Sequence, residues 1–263
     1  MVIEDLTNDA GYTMESDAAF ALLTDVTTTL VGSGVDFVIV GGWVPVLFHA
    51  QKFGHPGTYD VDVLVHASSL DNGTFDAAGE HFLRKGYLRA VKNKFQAHRV
   101  IRVAGEQLVF HVDFLNERNP GEELNLIGGS GKIKSIYTPA MEAVFKYAGY
   151  RTHPKLDGAR FPSVETFIAT KAMAARVKKR NRDAFDVFVT VADQDTSALR
   201  SRWRELMADG LFRDANEALW EAVHNEDALE KIGAVFDDLS TTSRPSEDEI
   251  RTIFDFLLEP HPK

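Results

Sequence analysis

The pattern of hydrophobic positions changes near residue 138 of the chain. Before that point, short apolar runs alternate with amphipathic stretches, as in domains that mix strands with helices. The pattern predicts strands over Val35–Val40, Asp60–Val65, His98–Val103, Gln107–Leu115 and Lys132–Ile136, and helices over Trp43–Phe53 and Phe75–Gly86. It also predicts a first helix that Ser16 and Asp17 cap and that ends near Leu30.

Amphipathic helical patterns fill the chain beyond residue 138. Helices are predicted near 139–149, 163–179, 181–194, 196–208, 213–224, 226–238 and 246–258, and no convincing strand is predicted there. Thr138-Pro139 is typical of a helix start. We therefore expect an α/β (α+β) domain with a small mixed sheet over residues 1–137, followed by an all-helical domain over residues 138–263.

Composition places the chain among ordinary globular proteins. Of its 263 residues, 44% are hydrophobic and 26% are charged. No apolar run is long enough to cross a bilayer, and the acidic start Met1–Leu6 lacks the basic residues of a secretory signal. The chain has no cysteine, which excludes disulfides and thiolate metal ligands. We expect a cytoplasmic protein that makes no membrane contact.

Charge is distributed unevenly along the chain. The formal net charge of -10 argues against broad, non-specific nucleic-acid binding. Residues 171–182 nonetheless contain six basic side chains and no acidic one. Such a segment suits a compact phosphate ligand or one limited contact with a nucleic acid, although it is also typical of a solvated helix face.

Two aspartates stand one residue apart in a predicted apolar strand. Strand alternation places Asp60 and Asp62 on one face, opposite Val61, Val63 and Val65. Two charges side by side on such a strand are costly unless a cation meets them. Their carboxylates can converge on one divalent ion or bridge two. Mg²⁺, or Mn²⁺ in its place, is the expected cofactor because it takes oxygen ligands and leaves positions open for phosphates.

Further residues extend this candidate site. Asp113 lies on the minority face of another apolar strand, where it is predicted to supply a third carboxylate or a general base. His111 shares that face and is expected to approach the ligand. The pair Gly41-Gly42 separates a predicted strand from a predicted helix, so its backbone and the helix N–H groups are expected to bind phosphate. Together these parts predict nucleotidyl transfer.

Three segments resemble the polymerase-beta-type nucleotidyltransferase superfamily: Val40–Trp43, Thr58–Val63 and Val112–Phe114. Further along, Lys171, Arg176 and the run 181–187, Asn-Arg-Asp-Ala-Phe-Asp-Val, resemble the AbiEii-type toxin nucleotidyltransferases. The resemblance covers roughly residues 35–190. It implies a two-domain enzyme whose helical domain contributes to the nucleotide site, with an NTP as substrate.

The resemblance assigns roles to individual residues. It implies that the metals are held by Asp60, Asp62 and Asp113, which are catalytic together with Lys171. It implies that the nucleotide is bound by Gly41, Gly42, Trp43, Thr58, Lys171, Arg182 and Asp186, and that Asp186 and Asp183 orient the lysine or the nucleotide. The usual Gly-Ser of the superfamily is Gly41-Gly42 here, so a serine hydroxyl is missing.

Several alternatives remain open from the sequence. The toxin-type resemblance implies an RNA acceptor such as the 3′ end of tRNA, and an antitoxin as partner. The Gly-Gly-Trp pattern is shared with enzymes that modify antibiotics, which makes a small hydroxylated acceptor the second hypothesis. The missing serine is compatible with a catalytically weak nucleotide-binding protein.

Ordinary structural roles also compete with the functional ones. Lys171 is compatible with a solvated helix position, and the helical pair Asp183 and Asp186 is compatible with simply offsetting nearby basic residues. His49, His55 and His66 are expected to have loop or core roles.

Overall fold

The computed structural model describes residues 12–49, 52–118, 126–127, 133–138, 140–147, 149–175, 181–224, 226–239 and 244–258. The chain forms two compact units. The first comprises Met1–Trp43, Gly57–Phe145 and Tyr150–Phe161, and the second comprises Val44–Pro56, Lys146–Gly149 and Pro162–Lys263. This division differs from the predicted boundary at 137/138, because the chain passes between the units several times.

A seven-stranded mixed sheet organises the first unit. Its strands are β1 Phe37–Val40, β2 Val61–Val65, β3 Leu88–Arg89, β4 Gln96–Val103, β5 Glu106–Asn116, β6 Leu126–Ile127 and β7 Ser135–Tyr137. The main order is β1-β2-β5-β4-β3, with β7 pairing with both β5 and β6. Strands β2 and β5 are parallel, whereas β4 and β5 form the antiparallel hairpin that the sequence predicts.

Helices of the first unit pack against both faces of this sheet. They are α1 Glu15–Gly32, α3 Ala67–Asp71 and α4 Thr74–Arg84. On one face, Phe75 and Phe82 of α4 pack edge-on or tilted against Phe114 of β5. On the other face, Val38, Leu64 and Val144 lie in one small apolar cluster. Val144 belongs to α5, Glu142–Lys146, so apolar packing on this face is provided near the β1 side.

The first unit also contains a hairpin that the sequence pattern did not predict. Strands β8 Arg151–His153 and β9 Leu156–Phe161 pair antiparallel within the region expected to be all-helical. Arg160 of β9 forms an ion pair with Asp36, at the entry to β1, and donates to the Phe37 carbonyl at 2.8 Å. The expectation of no strand beyond residue 138 is therefore wrong.

The second unit is built on helices α6 Val164–Ala175, α7 Asn181–Ala192, α8 Thr196–Leu206, α9 Gly210–His224, α10 Glu226–Asp238 and α11 Glu247–Leu257. Their apolar faces share one core, which includes Phe185, Trp203, Phe212, Phe236 and Phe254. The six helices follow the predicted segments closely. Helices α7 to α11 do so because each carries an apolar stripe at helical spacing, whereas α6 is apolar on most of its surface.

Three predicted helices have different limits in the structure. Helix α2 is only Trp43–Phe48, although the pattern predicted it to continue to Phe53. The region 139–149 contains only the short α5, and Pro139 lies outside the described residues. Helix α1 starts earlier than predicted: its N-cap is Met14, so Ser16 and Asp17 lie inside the first turn. Among the described residues, no helix has the length and apolar content needed to cross a membrane.

Candidate active site

Sheet register brings two of the predicted aspartates side by side. Asp62 of β2 pairs with Asp113 of the parallel strand β5, and Val40 of β1 flanks Asp62 on its other side. Register partners point to the same face, and neighbouring strands lie about 4.8 Å apart. The two carboxylates therefore emerge next to each other from a sheet whose neighbouring positions are apolar.

Polar groups on β4 and β5 continue this row along the same face. Gln96 of β4 is the register partner of Asp113 and donates from Nε2 to its Oδ1 at 2.7 Å. One step along, His98 pairs with His111, and their rings lie 6.1 Å apart. The Nδ1 atom of His111 is buried and has no hydrogen-bond partner among the described residues. The sheet thus presents a polar strip that intramolecular contacts leave partly unsatisfied.

The glycine pair fits closely against this strip. Gly41 has a φ of 74°, which L side chains rarely adopt, and an added Cβ would overlap the Asp62 carboxylate, with Cγ only 2.8 Å away. A Cβ on Gly42 would lie 3.0 Å from both Cβ and Oγ1 of Thr58. A side chain at position 41 would therefore overlap Asp62, and one at position 42 would press against Thr58, which would have to shift by a few tenths of an ångström.

Asp60 occupies a different environment from Asp62. It precedes the first residue of β2 and is exposed, so the predicted strand starts one residue too early. Within the described parts of the chain, no three His, Asp or Glu side chains are grouped closely enough to hold a metal ion. The adjacent Asp62 and Asp113 carboxylates nevertheless fit magnesium, which proteins commonly hold through one or two carboxylates together with substrate phosphates.

A second polar cluster lies within the second unit. Lys171 of α6 contacts two carboxylates of α7, with Nζ 2.8 Å from Asp183 Oδ1 and 2.7 Å from Asp186 Oδ2. The other oxygen of Asp186 lies 3.0 Å from Nε2 of His55. Lys171 is the most exposed of the four, with 14% of its side chain accessible. The i, i+3 spacing on α7 puts both carboxylates on one face.

The electrostatics of this cluster favour its charged form. Burial alone would lower the pKa of Lys171, but Asp186 and Asp183 outweigh it and hold that pKa above its ordinary value. Burial would raise the pKa of Asp186, but Lys171 and His55 hold it below its ordinary value. The Oδ2 atom of Asp183 is buried without a hydrogen-bond partner among the described residues.

The remaining predicted site residues have varied surroundings. Trp43 is buried at the start of α2 and packs edge-on to Phe20, with ring centroids 6.1 Å apart. Arg182 is exposed near the start of α7, and Arg176 lies outside the described residues. His55 joins a buried ion-pair cluster, as its expected core role allows. Its partner in that cluster could not be inferred, because the two residues are 131 positions apart in sequence.

Comparison with known proteins gives distant structural likenesses. No family model and no curated protein matches the chain. The antibiotic-resistance factor ANT(2'')-Ia is similar with a TM-score of 0.38 and 13% identity, over 74% of this chain and 97% of the other. An antigenic nucleotidyltransferase-like protein from Paracoccidioides brasiliensis has a TM-score of 0.44 and 15% identity, over 86% and 94%. JHP933 from Helicobacter pylori has a TM-score of 0.40 and 12% identity, over 87% and 94%. Likeness at this level does not assign a function to the chain.

Proposed function

We propose that this protein is a metal-dependent nucleotidyltransferase that moves an NMP from an NTP to an acceptor hydroxyl. The observation that carries the proposal is the pairing of Asp62 with Asp113, directly against the Gly41 turn. Two carboxylates and a close backbone approach are what a metal-bound triphosphate requires. The sequence resemblance over residues 35–190 supports the same reaction class.

In the proposed reaction, the acceptor oxygen attacks the α-phosphorus of the NTP. A new phosphorus–oxygen bond forms, the bond to the bridging oxygen breaks, and pyrophosphate leaves. A bound Mg²⁺ would supply charge neutralisation at the phosphates and a lower pKa for the acceptor hydroxyl. Asp62 would bind the metal, and Asp113, oriented by Gln96, would bind it or accept the hydroxyl proton. Asp60, exposed in the loop before β2, stays outside this pair, because the described residues group no three acidic or histidine side chains closely enough to hold a metal ion.

Thr58 offers a reason why the missing serine need not remove activity. Its hydroxyl lies 3.0 Å from the point where a side chain on Gly42 would begin. We therefore propose that Thr58 supplies the hydroxyl that the superfamily usually carries in the glycine turn. On this account Gly42 is a glycine because Thr58 occupies the adjacent space.

For Lys171 we propose a structural role in place of phosphate binding. The resemblance assigns it to the phosphates, whereas in the second unit its ammonium is matched by two carboxylates. A lysine in this state is held rigidly and contributes little free positive charge. We propose that Lys171 acts mainly by fixing α6 and α7, with Asp186 as its principal partner.

The proposed acceptor is an RNA end, as the sequence resemblance to the AbiEii-type toxin nucleotidyltransferases implies. A small hydroxylated acceptor is the second candidate. It is favoured by the net charge of -10 and by the burial of Lys171, which removes the first residue of the basic segment 171–182 from any RNA contact.

The test is transfer of label from α-labelled NTPs in the presence of magnesium. Wild-type protein is incubated in parallel with total RNA and with a panel of aminoglycosides and lincosamides. We expect labelled RNA, and loss of label with Asp62→Asn or with excess chelator. Label confined to small molecules would select the second candidate. Transfer that persists in the Asp62→Asn variant would contradict the mechanism.

A further inference from the structure

A continuous part of the first unit carries only positive charge. Residues 81–105 contain seven Lys and Arg side chains and no Asp or Glu, although the whole chain has 39 acidic against 29 basic residues. The segment covers the end of α4, strand β3, the connecting loop and strand β4. A like-charged segment of this length in an acidic protein indicates an electrostatic binding surface.

Most of these charges are exposed. Lys92 and Lys94 lie in the loop between β3 and β4, and Arg102 lies near the end of β4. None of the three has an ion-pair partner among the described residues. The apolar side chain of Val91 in the same loop is 92% exposed. The exposed lysines offer contacts to the phosphates of a nucleic acid, and the Val91 side chain offers an apolar contact beside them.

The end of α4 adds a recess to this surface. A cavity of about 500 Å³ is lined by Thr28, Thr29, Gly32, His81, Arg84 and Lys85. Lys85 is fixed there by Asp25 at 2.6 Å and by the Thr29 hydroxyl at 2.9 Å. Arg84 has no carboxylate partner in the described part of the chain. Arg99 of β4 donates to the Lys85 carbonyl, so a hydrogen bond connects this recess to strand β4.

We propose that the surface formed by residues 81–105 binds the phosphodiester backbone of a single-stranded nucleic acid. Strand β4, which carries part of this basic surface, begins at Gln96, and the Gln96 side chain donates to Asp113. The surface is therefore continuous with the proposed transfer site. This continuity favours a nucleic acid over an anionic membrane. The use of the bound strand as acceptor rests on the proposed function. Binding of its phosphodiester backbone does not, because binding requires no catalysis.

The experiment is fluorescence anisotropy of a labelled twelve-nucleotide RNA, with full-length protein, between 50 and 200 mM salt. Lys92→Gln with Lys94→Gln is the test variant. We expect weaker binding and a slope of log affinity against log salt that is smaller in magnitude by about 1.4, for two lost single-strand phosphate contacts. Arg84→Gln is expected to reduce the magnitude of this slope by about 0.7, for one lost phosphate contact.

Arg202→Gln is the matched control, because Arg202 is exposed on α8 and paired with Glu205. It should leave affinity and slope unchanged. The Asp62→Asn variant should bind RNA like wild type, which separates this inference from the proposed activity. Equal losses of RNA affinity in the control and test variants would overturn the nucleic-acid-binding inference. Binding to phosphatidylserine vesicles without binding to RNA or single-stranded DNA would also overturn it.

Discussion

At the scale of single residues, Gly41 links backbone conformation to the proposed chemistry. Its positive φ alone would make a side chain costly by about 1 kcal/mol. The adjacent Asp62 carboxylate adds a collision that is specific to this position. The glycine was predictable from the sequence as a turn residue, whereas its contact with Asp62 depends on how β1 and β2 pair.

We predict that Gly41→Ala abolishes nucleotidyl transfer, because the new methyl group must displace the Asp62 carboxylate. Gly34→Ala is the control, since Gly34 has a similar φ of 69° but open space around it. Gly34→Ala should lose about 1 kcal/mol of unfolding free energy in urea titrations, and Gly41→Ala should lose more because of the added contact with Asp62. Only Gly41→Ala should lose transfer. Equal activity in the two variants would argue against a role for the turn.

The buried ion pairs of Lys171 with Asp183 and Asp186 predict that this lysine contributes to stability. We predict that Lys171→Met lowers the free energy of unfolding by about 3–5 kcal/mol, because two buried carboxylates lose their counter-charge. Urea denaturation measures this effect. Lys92→Met should change stability by less than about 0.5 kcal/mol, because Lys92 is exposed. A small effect of Lys171→Met would show that the cluster is solvated.

The same cluster predicts a pH dependence. The pKa of Asp186 is lowered by folding, so its contribution is fully present above its ordinary value of about 3.9 and is lost as pH falls through the lowered value. The stability difference between wild type and Lys171→Met should therefore shrink as pH decreases below about 4. Urea titrations at pH 3, 5 and 7 test this, and a difference that grows on acidification would contradict it.

At the scale of elements, helices with full apolar stripes were predictable and short or irregular elements were not. Helices α7 to α11 of the second unit follow their apolar periodicity. The hydrophobic pattern did not predict the β8–β9 hairpin, because its strands have only three and six residues with little alternation of apolar and polar positions. Tertiary contacts hold it instead, including the Arg160–Asp36 pair and Gly158, where an added Cβ would crowd Val31.

Helix α11 gives a prediction at this scale. Ser246 accepts from the Glu249 N–H at 3.2 Å, and the Glu249 side chain accepts from the Ser246 N–H at 2.7 Å, which is a complete capping box. Ser246→Ala should cost about 1 kcal/mol of stability by thermal or urea unfolding. Ser197→Ala, at an exposed first-turn position of α8, should cost much less. Equal costs would mean that the box contributes nothing.

At the scale of the whole molecule, the sequence selected candidate residues without showing which of them are adjacent. The sequence indicated Asp62 as one of the pair Asp60 and Asp62, and Asp113 as a charge on the minority face of an apolar strand. Their adjacency required the parallel register of β2 and β5, which joins residues about fifty positions apart. The basic segment selected from the sequence, 171–182, begins with a largely buried lysine, and its residues 176–180 lie outside the described residues. Residues 81–105 carry a second basic segment, most of whose charges are exposed.

The most direct test of the central claim is a crystal structure with Mg²⁺ and an NTP analogue that cannot be cleaved at the α-phosphate. We expect a metal about 2.1 Å from carboxylate oxygens of Asp62 and Asp113, with the triphosphate against Gly41 and Gly42. Nucleotide bound at another place, or at this place with neither aspartate contacting a metal, would contradict the account.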